Sequence, residues 1–196
     1  NAFLKQQKGY LPNKKQDILT VWNQQFAALS EKWGRLRQQT LVKIQDLAQK
    51  AYENLVGGTE KLEITYNPRW LQEGLLSLLK EVERDEVRRG TTLIGPHRDD
   101  IEILLDGMPA RTHASQGEQR TIALSLRIAG HHLLHKVHRT KPLLLLDDVF
   151  SELDSDRTER LLHLLVADQT FITTAIQPKI IQANKYHEIK EGKILI

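Results

Sequence analysis

The chain has 196 residues, enough for one large domain or two small ones with a buried core. Hydrophobic residues make up 40% and charged residues 27%, which is typical of a soluble globular protein. The absence of cysteine excludes a disulfide framework, a cysteine-based zinc site and a thiol nucleophile, and it favours a cytoplasmic protein. Apolar runs such as Leu143–Leu146 are far too short to cross a membrane.

The net charge of +3 is unevenly distributed. Residues 1–60 contain nine Lys or Arg and five Asp or Glu, whereas residues 91–196 contain thirteen and fourteen. A basic N-terminal portion is compatible with contact to DNA phosphates, and equally with a solvated helix face. Because the chain starts with Asn1 rather than methionine, we expect a truncated or processed polypeptide.

The N-terminal portion carries a long amphipathic pattern. Apolar residues recur every three or four positions across residues 16–56, with a slip near Thr40, so the pattern predicts a helix that packs against a partner. Such a helix would be about 60 Å long unless it breaks near Gly34 or Thr40, and the sequence leaves open one helix or a hairpin. Three aromatic residues of the stripe are expected in the core rather than stacked on bases: Trp22, Phe26 and Trp33.

The glycine pair Gly57-Gly58 is predicted to end this helix. The alternation of Lys61–Tyr66 then predicts a strand. Asn67-Pro68 predicts the start of a second helix, with the asparagine as N-cap, and Gly90 is predicted to close it. Residues 1–90 are therefore predicted to form a mainly helical arm domain.

The remaining chain, residues 91–196, alternates between strand and helix signals. The apolar strand Leu143–Asp147, a helix and a second apolar strand predict a right-handed parallel crossover. The other predicted elements are strands at Thr91–Ile94, Asp100–Leu105 and Pro109–Thr112, an Asp106-Gly107 turn, a helix of about twenty residues from Ser115, a helix from Ser155 to Val166, a strand at Thr170–Thr174, and a hairpin of Tyr186–Lys190 and Lys193–Ile196 over Glu191-Gly192.

A run of four leucines that ends in two acids is the arrangement of a Walker B strand. The apolar run predicts burial on both faces, and the acids emerge at the carboxyl end, where ligands of open α/β sheets bind. Asp147 is predicted to hold Mg²⁺ through water, because this ion prefers oxygen ligands. Asp148 is predicted to orient or deprotonate the attacking water. A buried strand that ends in a polar turn is the alternative, and the following Ser151–Asp154 argues against it.

The segment that opens the helix at Ser115 has two interpretations. Ser115 and Glu118 have the S-x-x-E spacing of a capping box, which explains them structurally. A serine hydroxyl, a glycine N–H and a helix N-terminus also form an anion site suited to a γ-phosphate, and the Walker B segment downstream favours this function. The candidate residues of this segment are Ser115, Gln116, Gly117, Glu118 and Gln119.

The order of these segments resembles the C-terminal lobe of ABC-type ATPases. Ser115–Arg120 is similar to their L-S-G-G-Q signature loop, and their D-loop is similar to Ser151, Glu152, Leu153 and Asp154. Within that superfamily, four segments resemble the RecF family of recombination proteins: Asn1–Gln6, Gly95–Asp100, Ala114–Gly117 and Leu143–Asp154.

This resemblance implies an α/β fold: the C-terminal lobe of an ABC-type ATPase head, with a parallel sheet core, in residues 91–196, beside a mainly helical arm. It implies ATP and Mg²⁺ as cofactors, and a homodimer that closes when the signature loop of one subunit covers ATP held by the other. It further implies slow hydrolysis and recombinational repair of gapped DNA, with RecR, RecO and RecA-type proteins as partners.

Three departures limit the resemblance. No G-x-x-x-x-G-K-[ST] is present, so the P-loop is expected upstream and this chain alone is expected to hydrolyse ATP feebly or not at all. Asp148 stands where ABC transporters have glutamate. Thr173 and Thr174 stand at the switch position, where most ABC enzymes have histidine; they are expected either to bond a phosphate or simply to end a strand.

Two polar clusters allow more than one interpretation. Residues 95–100 place His97 and Arg98 beside two aspartates, which predicts an internal ion-pair cluster or a contact with nucleotide or DNA. His131, His135 and His138 share one helical face, for which solvation is favoured over a zinc site because no cysteine is present.

Two rival functions remain. The chain could bind DNA or a partner without nucleotide, or belong to an SMC-type head. The second requires very long coiled coils, and about forty periodic residues argue against it.

Overall fold

The computed structural model describes residues 12–165, 167–175 and 183–195; the side chains of residues 12–16 and of Glu152 are outside that description. The expectations placed on Asn1–Gln6, Val166 and Ile196 therefore lie outside the described residues. The fold is mixed α/β with a parallel strand pair, which confirms the predicted class.

One unbroken helix, α1, runs from Pro12 to Val56. Gly34 does not interrupt it, and glycine suits this position because a Cβ there would lie 2.5 Å from the Trp70 ring. The residue expected to break the helix instead lets an aromatic ring approach the backbone. Gly57, with φ of 72°, ends the helix as predicted, and its N–H donates to the Glu53 carbonyl at 2.7 Å.

The two halves of α1 have different surroundings. Its C-terminal half is buried through Ala48, Ala51, Tyr52 and Leu55. In its N-terminal half a face of small residues, Ala27, Ser30 and Gly34, packs inward. Because these residues are small, the other arm helices approach α1 closely at this face. The tryptophans of the apolar stripe lie beside the face and remain exposed to solvent. Two of the three aromatic predictions are therefore wrong, since 53% of Trp22 and 60% of Trp33 are exposed, whereas Phe26 packs on the arm core.

The second predicted helix of the arm is two helices. After strand β1 (Leu62–Thr65) come α2 (Arg69–Glu73) and α3 (Leu75–Arg89). Gly74 separates them with φ of 89°, and Gly90 closes α3 in the left-handed conformation, as predicted. The predicted N-cap Asn67 is wrong, because Pro68 occupies that position and no side chain caps α2.

An antiparallel sheet joins the arm to the rest of the chain. Its order is β1, then β2 (Glu102–Leu105), then β3 (Met108–Pro109). The Asp106-Gly107 turn is confirmed, with φ of 49° and 76°. Because β1 precedes residue 90 and β2 follows it, the sheet crosses the expected domain boundary, which stays a prediction.

Two predicted strands are wrong. Thr91–Ile94 forms none, because the Leu93 N–H donates to the Glu86 carboxylate at 2.7 Å and holds the chain against the end of α3. Pro109–Thr112 mostly becomes the short helix α4 (Ala110–His113). Proline has no N–H to continue a strand ladder, but it fits the position before a helix.

The C-terminal part contains the predicted crossover. Helix α5 (Gln116–His138) leads to β4 (Leu144–Asp147), α6 (Ser155–Leu164) and β5 (Thr170–Thr173). Strands β4 and β5 pair in parallel, and a hairpin of β6 (Glu188–Lys190) and β7 (Lys193–Leu195) follows. Helix α1 packs along α5 and α6. Within the described ranges, no helix is both long and apolar enough to span a bilayer.

Candidate functional site

The two acids of the Walker B segment lie at the carboxyl end of β4. Leu146 is 8% exposed and packs in a cluster with residues of α5 and α6. Leu145 is 71% exposed on the opposite face, and its register partner Phe171 is 51% exposed. This chain therefore covers one face of the strand pair and leaves the other open, so the prediction of burial on both faces is wrong.

Thr173 joins the two acids across the strand pair. It stands opposite Asp147 in the register, and its hydroxyl donates to an Asp147 carboxylate oxygen. The Asp148 N–H donates to the Thr173 carbonyl at 3.0 Å and lies 3.1 Å from the Thr173 hydroxyl oxygen. The sequence-predicted switch residue is thus in direct contact with the sequence-predicted metal ligand. Thr174 follows at the exposed end of β5.

The D-loop turns sharply away from β4. Asp148 has φ of 48°, a left-handed conformation that costs energy for a residue other than glycine. A 3₁₀ turn (Val149–Glu152) follows, in which the Ser151 hydroxyl donates to the Asp148 carbonyl at 2.9 Å. Leu153 returns the chain towards the core, and Asp154 caps α6 by accepting the Arg157 N–H at 2.8 Å.

The signature loop forms the predicted capping box. The Ser115 N–H and hydroxyl both donate to Glu118 Oε2, at 2.7 Å and 2.6 Å, and the Glu118 N–H donates to the Ser115 hydroxyl at 3.3 Å. These donors hold the pKa of the Glu118 carboxyl below its usual range. Ser115, Gln116 and Gly117 are exposed at the N-terminus of α5.

Gln119 has a structural task within the loop. Its side-chain amide donates to the carbonyls of Ala114 at 2.9 Å and Ala110 at 3.3 Å, which ties α4 to the first turn of α5. Ser115 to Gly117 are therefore exposed to a ligand, while Gln119 fixes the backbone that precedes them.

Helix α6, which follows the D-loop, comes close to the signature loop at Arg157. The sequence interpretation missed this residue. A Cβ at Gly117 would lie 3.9 Å from Arg157 Nη1, so the guanidinium lies near the loop backbone. The buried Tyr52 hydroxyl, which has no hydrogen-bond partner, lies in the same charged surroundings. Burial and the nearby Glu60 raise the pKa of Tyr52 to about 12.

Asp99 anchors residues 95–100 to the arm. Its carboxylate accepts the Tyr66 hydroxyl at 2.6 Å and the Trp70 indole N–H at 2.8 Å, and it lies 3.8 Å from Arg37 Nη1. The guanidinium of Arg37 also donates to the Pro96 carbonyl at 3.0 Å. The structural interpretation of this segment is supported, but the cation that pairs with Asp99 comes from α1.

The neighbouring side chains of the segment, Arg98 and His97, lie against a backbone oxygen instead. Arg98 Nε donates to the Thr92 carbonyl at 3.2 Å, and His97 Nε2 lies 3.3 Å from the same atom. On α5, His135 Nδ1 lies 3.1 Å from the Thr140 carbonyl. Among the described residues, no group of three His, Cys, Asp or Glu could hold a metal ion.

Comparison with known proteins gives one consistent family. The chain is 37% identical to the DNA replication and repair protein RecF of Rippkaea orientalis over 190 residues, which cover 90% of this chain and 50% of that protein. It is 39% identical to RecF of Lactobacillus acidophilus over 211 residues, 99% of this chain and 56% of that protein. The chain belongs to the RecF family. No family model matches it.

A solved structure supports the same family. The recombination mediator protein RecF-ATP in the RecFOR pathway superposes with a TM-score of 0.82 at 29% identity, over 98% of this chain and 53% of that protein. The resemblance found in the sequence is therefore confirmed. The chain spans about half the length of the RecF relatives it matches, so the activity of a whole RecF protein is a proposal for this one.

Proposed function

We propose that this chain is the C-terminal half of an ATP-dependent DNA-binding protein of recombinational repair, and that it supplies half of each of two nucleotide sites. The contact between Thr173 and the Walker B acids carries the proposal. It places three oxygen-bearing side chains at the carboxyl end of two parallel strands, where nucleotides bind in open α/β sheets. The similarity to a RecF-ATP structure supports it.

In the first half-site the chain contributes the residues around β4. The exposed carboxylate of Asp147 fits Mg²⁺ because this ion takes oxygen ligands and keeps several waters. Mg²⁺ would supply charge neutralisation for the phosphates. Thr173 holds the Asp147 carboxylate in place, and Thr174 follows Thr173 in the chain. Asp148 orients the attacking water. The phosphate cradle itself comes from an upstream P-loop.

In the second half-site the chain faces a partner subunit. Ser115, Gln116 and Gly117 are exposed at a helix N-terminus, which favours an anion such as a γ-phosphate. Arg157, three residues after the D-loop (Ser151–Asp154), lies near the signature loop, since a Cβ built on Gly117 would be 3.9 Å from its Nη1. ATP would therefore close a homodimer, and hydrolysis would open it again.

Two measurements test this division. We expect this 196-residue chain to show no single-turnover ATP hydrolysis, because the cradle is supplied elsewhere; detectable hydrolysis would refute the split site. In a full-length protein, Asp148→Asn should lower turnover while ATP-dependent dimerisation persists. Unchanged turnover would remove Asp148 from the catalytic role.

DNA contact is assigned to a basic row on α1. Lys32, Arg35, Lys43 and Lys50 are exposed and recur at helical spacing along one face. None of the four forms an ion pair with another described residue. Such a row suits phosphates, so binding should be salt-dependent and independent of sequence. RecR, RecO and RecA-type proteins are the partners that the family implies.

The basic row on α1 also suits a second function, in which the chain is a module that binds DNA without nucleotide. We expect the chain alone to bind DNA equally with and without ATP. Replacing Lys32 and Lys43 by glutamine should reduce the slope of log affinity against log salt by about 1.8. Lys61→Gln is the control, because Lys61 is engaged by Glu63 at 2.7 Å. An equal change in the control would exclude the row.

A further inference from the structure

Within the signature loop, Ser115 is not free to bind phosphate in this structure. The Ser115 hydroxyl and N–H, which would face a phosphate, are both engaged by the Glu118 carboxylate at 2.6 Å and 2.7 Å. Because these bonds lower the pKa of Glu118, the group is ionised at neutral pH and repels an incoming phosphate. A γ-phosphate can bind Ser115 only when Glu118 turns away to another partner.

Arg157 occupies a position that helix stability does not favour. In α5 the third residue after the cap is Glu118, which completes a capping box; in α6 the equivalent residue after Asp154 is an arginine. A cation in the first turn opposes the helix dipole. Its ion pair with Asp154 is 3.6 Å long, with side chains 30% and 60% exposed, so this contact offsets little.

The guanidinium is nevertheless held close to the signature loop. It lies near Gly117, where a Cβ would be 3.9 Å from Nη1. After the two Ser115 hydrogen bonds, its positive charge is a further cause of the lowered pKa of Glu118. Arg160, one turn further along α6, instead donates to the Leu55 carbonyl at 3.4 Å and lies over Gly57. The two arginines thus face different elements.

We infer that Arg157 is a positioning residue of the signature loop, which receives the Glu118 carboxylate when Ser115 turns to a phosphate held by the partner subunit. The inference rests on the proposed dimer. The exchange replaces a Ser115–Glu118 bond by an Arg157–Glu118 ion pair, so the carboxylate stays neutralised beside the phosphate. It also adds, in the nucleotide-bound state alone, an ion pair between α6 and the signature loop.

A double-mutant cycle in the full-length protein tests the exchange. ATP-dependent dimer affinity is measured for the wild type, Arg157→Gln, Glu118→Gln and the double variant. Glutamine at position 118 keeps the capping box but removes the charge that needs Arg157. We expect Arg157→Gln to weaken the dimer about tenfold in the wild type and less than about twofold in the Glu118→Gln background. Arg160→Gln is the matched control and should leave the affinity unchanged.

The alternatives give different results. An equal loss in both backgrounds would mean that Arg157 contacts phosphate directly or acts on folding, and would overturn the exchange. A structural role also predicts a lower urea midpoint for Arg157→Gln, whereas the exchange predicts a midpoint no lower than that of the wild type. A wild-type protein that does not dimerise with ATP would refute the proposed function itself.

A measurement on this chain alone distinguishes failure of the carboxylate exchange from failure of the proposed dimer. The pKa of Glu118 is determined by NMR titration with and without Arg157→Gln, in the wild type and in a Ser115→Ala background that removes the competing hydroxyl. We expect Arg157→Gln to raise the pKa of Glu118 more in the Ser115→Ala chain, because the carboxylate then relies on the guanidinium. Equal shifts in both backgrounds would overturn the inference regardless of nucleotide.

Discussion

Replacing Asp99 by alanine should loosen the junction between the arm and residues 95–100. The Asp99 side chain is only 8% exposed and accepts hydrogen bonds from the Tyr66 hydroxyl and the Trp70 indole. Arg37, on α1, lies 3.8 Å away. Removal of the carboxylate leaves two part-buried donors without an acceptor and a cation without its partner.

The magnitude follows from those contacts. A buried donor that loses its acceptor costs about 1–3 kcal/mol, so two donors and a weakened ion pair should lower the free energy of unfolding by about 3 kcal/mol. Asp99→Asn keeps one acceptor oxygen and should cost about 1–2 kcal/mol. The order alanine, asparagine, wild type is therefore expected.

Urea unfolding at constant slope measures these differences. Asp100→Ala is the matched control, because Asp100 is exposed and its carboxylate accepts only a local bond from the Ile101 N–H at 2.9 Å. We expect the control to change the free energy of unfolding by less than about 0.5 kcal/mol. If Asp99→Ala costs no more than Asp100→Ala, the buried network does not hold the junction together.

Three further predictions concern packing, pH and the Walker B strand. Gly34→Ala should destabilise the chain by about 1–2 kcal/mol because its methyl group meets Trp70, whereas Gly130→Ala, with open space around it, should stabilise it by up to about 1 kcal/mol; calorimetry of both decides. The pKa of Tyr66 is raised to about 12 by burial and by its carboxylate partner, so its contribution to stability is complete below pH 10 and is lost as pH rises towards 12; Tyr66→Phe should flatten that decline. In a full-length protein Thr173→Val should lower ATP turnover about 10–100-fold and Thr173→Ser should preserve it, and equal turnover in both would contradict the role of the hydroxyl.

Local sequence signals predicted the parts of the fold that local chemistry decides. The spacing of Ser115 and Glu118 specifies a capping box wherever the helix lies, and Asp106-Gly107 specifies a tight turn. The Walker B strand and its parallel partner followed from apolar runs separated by a helix. Thr173 was placed correctly at the strand end, but its bond to Asp147 depends on the register.

Contacts between distant residues decided the rest. Gly34 is a poor helix former by propensity, but the ring of Trp70 requires a residue without a side chain there. Arg37 pairs with Asp99, which lies 62 residues further along the chain, and no local sequence pattern predicts such a pair. For Arg157 a signal existed: an arginine at the position where a capping box would place an acid.

The length of helix α1 would amplify any rotation at its buried end. The helix is buried against α5 and α6 around Leu55, and Lys32 lies about 35 Å away along its axis. A rotation of about 10° at the buried end moves Lys32 by roughly 6 Å, which exceeds the 3.4 Å rise per nucleotide in one DNA strand. If α1 turned as a rigid rod, small shifts of α5 would therefore reach the basic row as movements longer than the spacing of phosphates along one strand, which the proposed DNA contact would register.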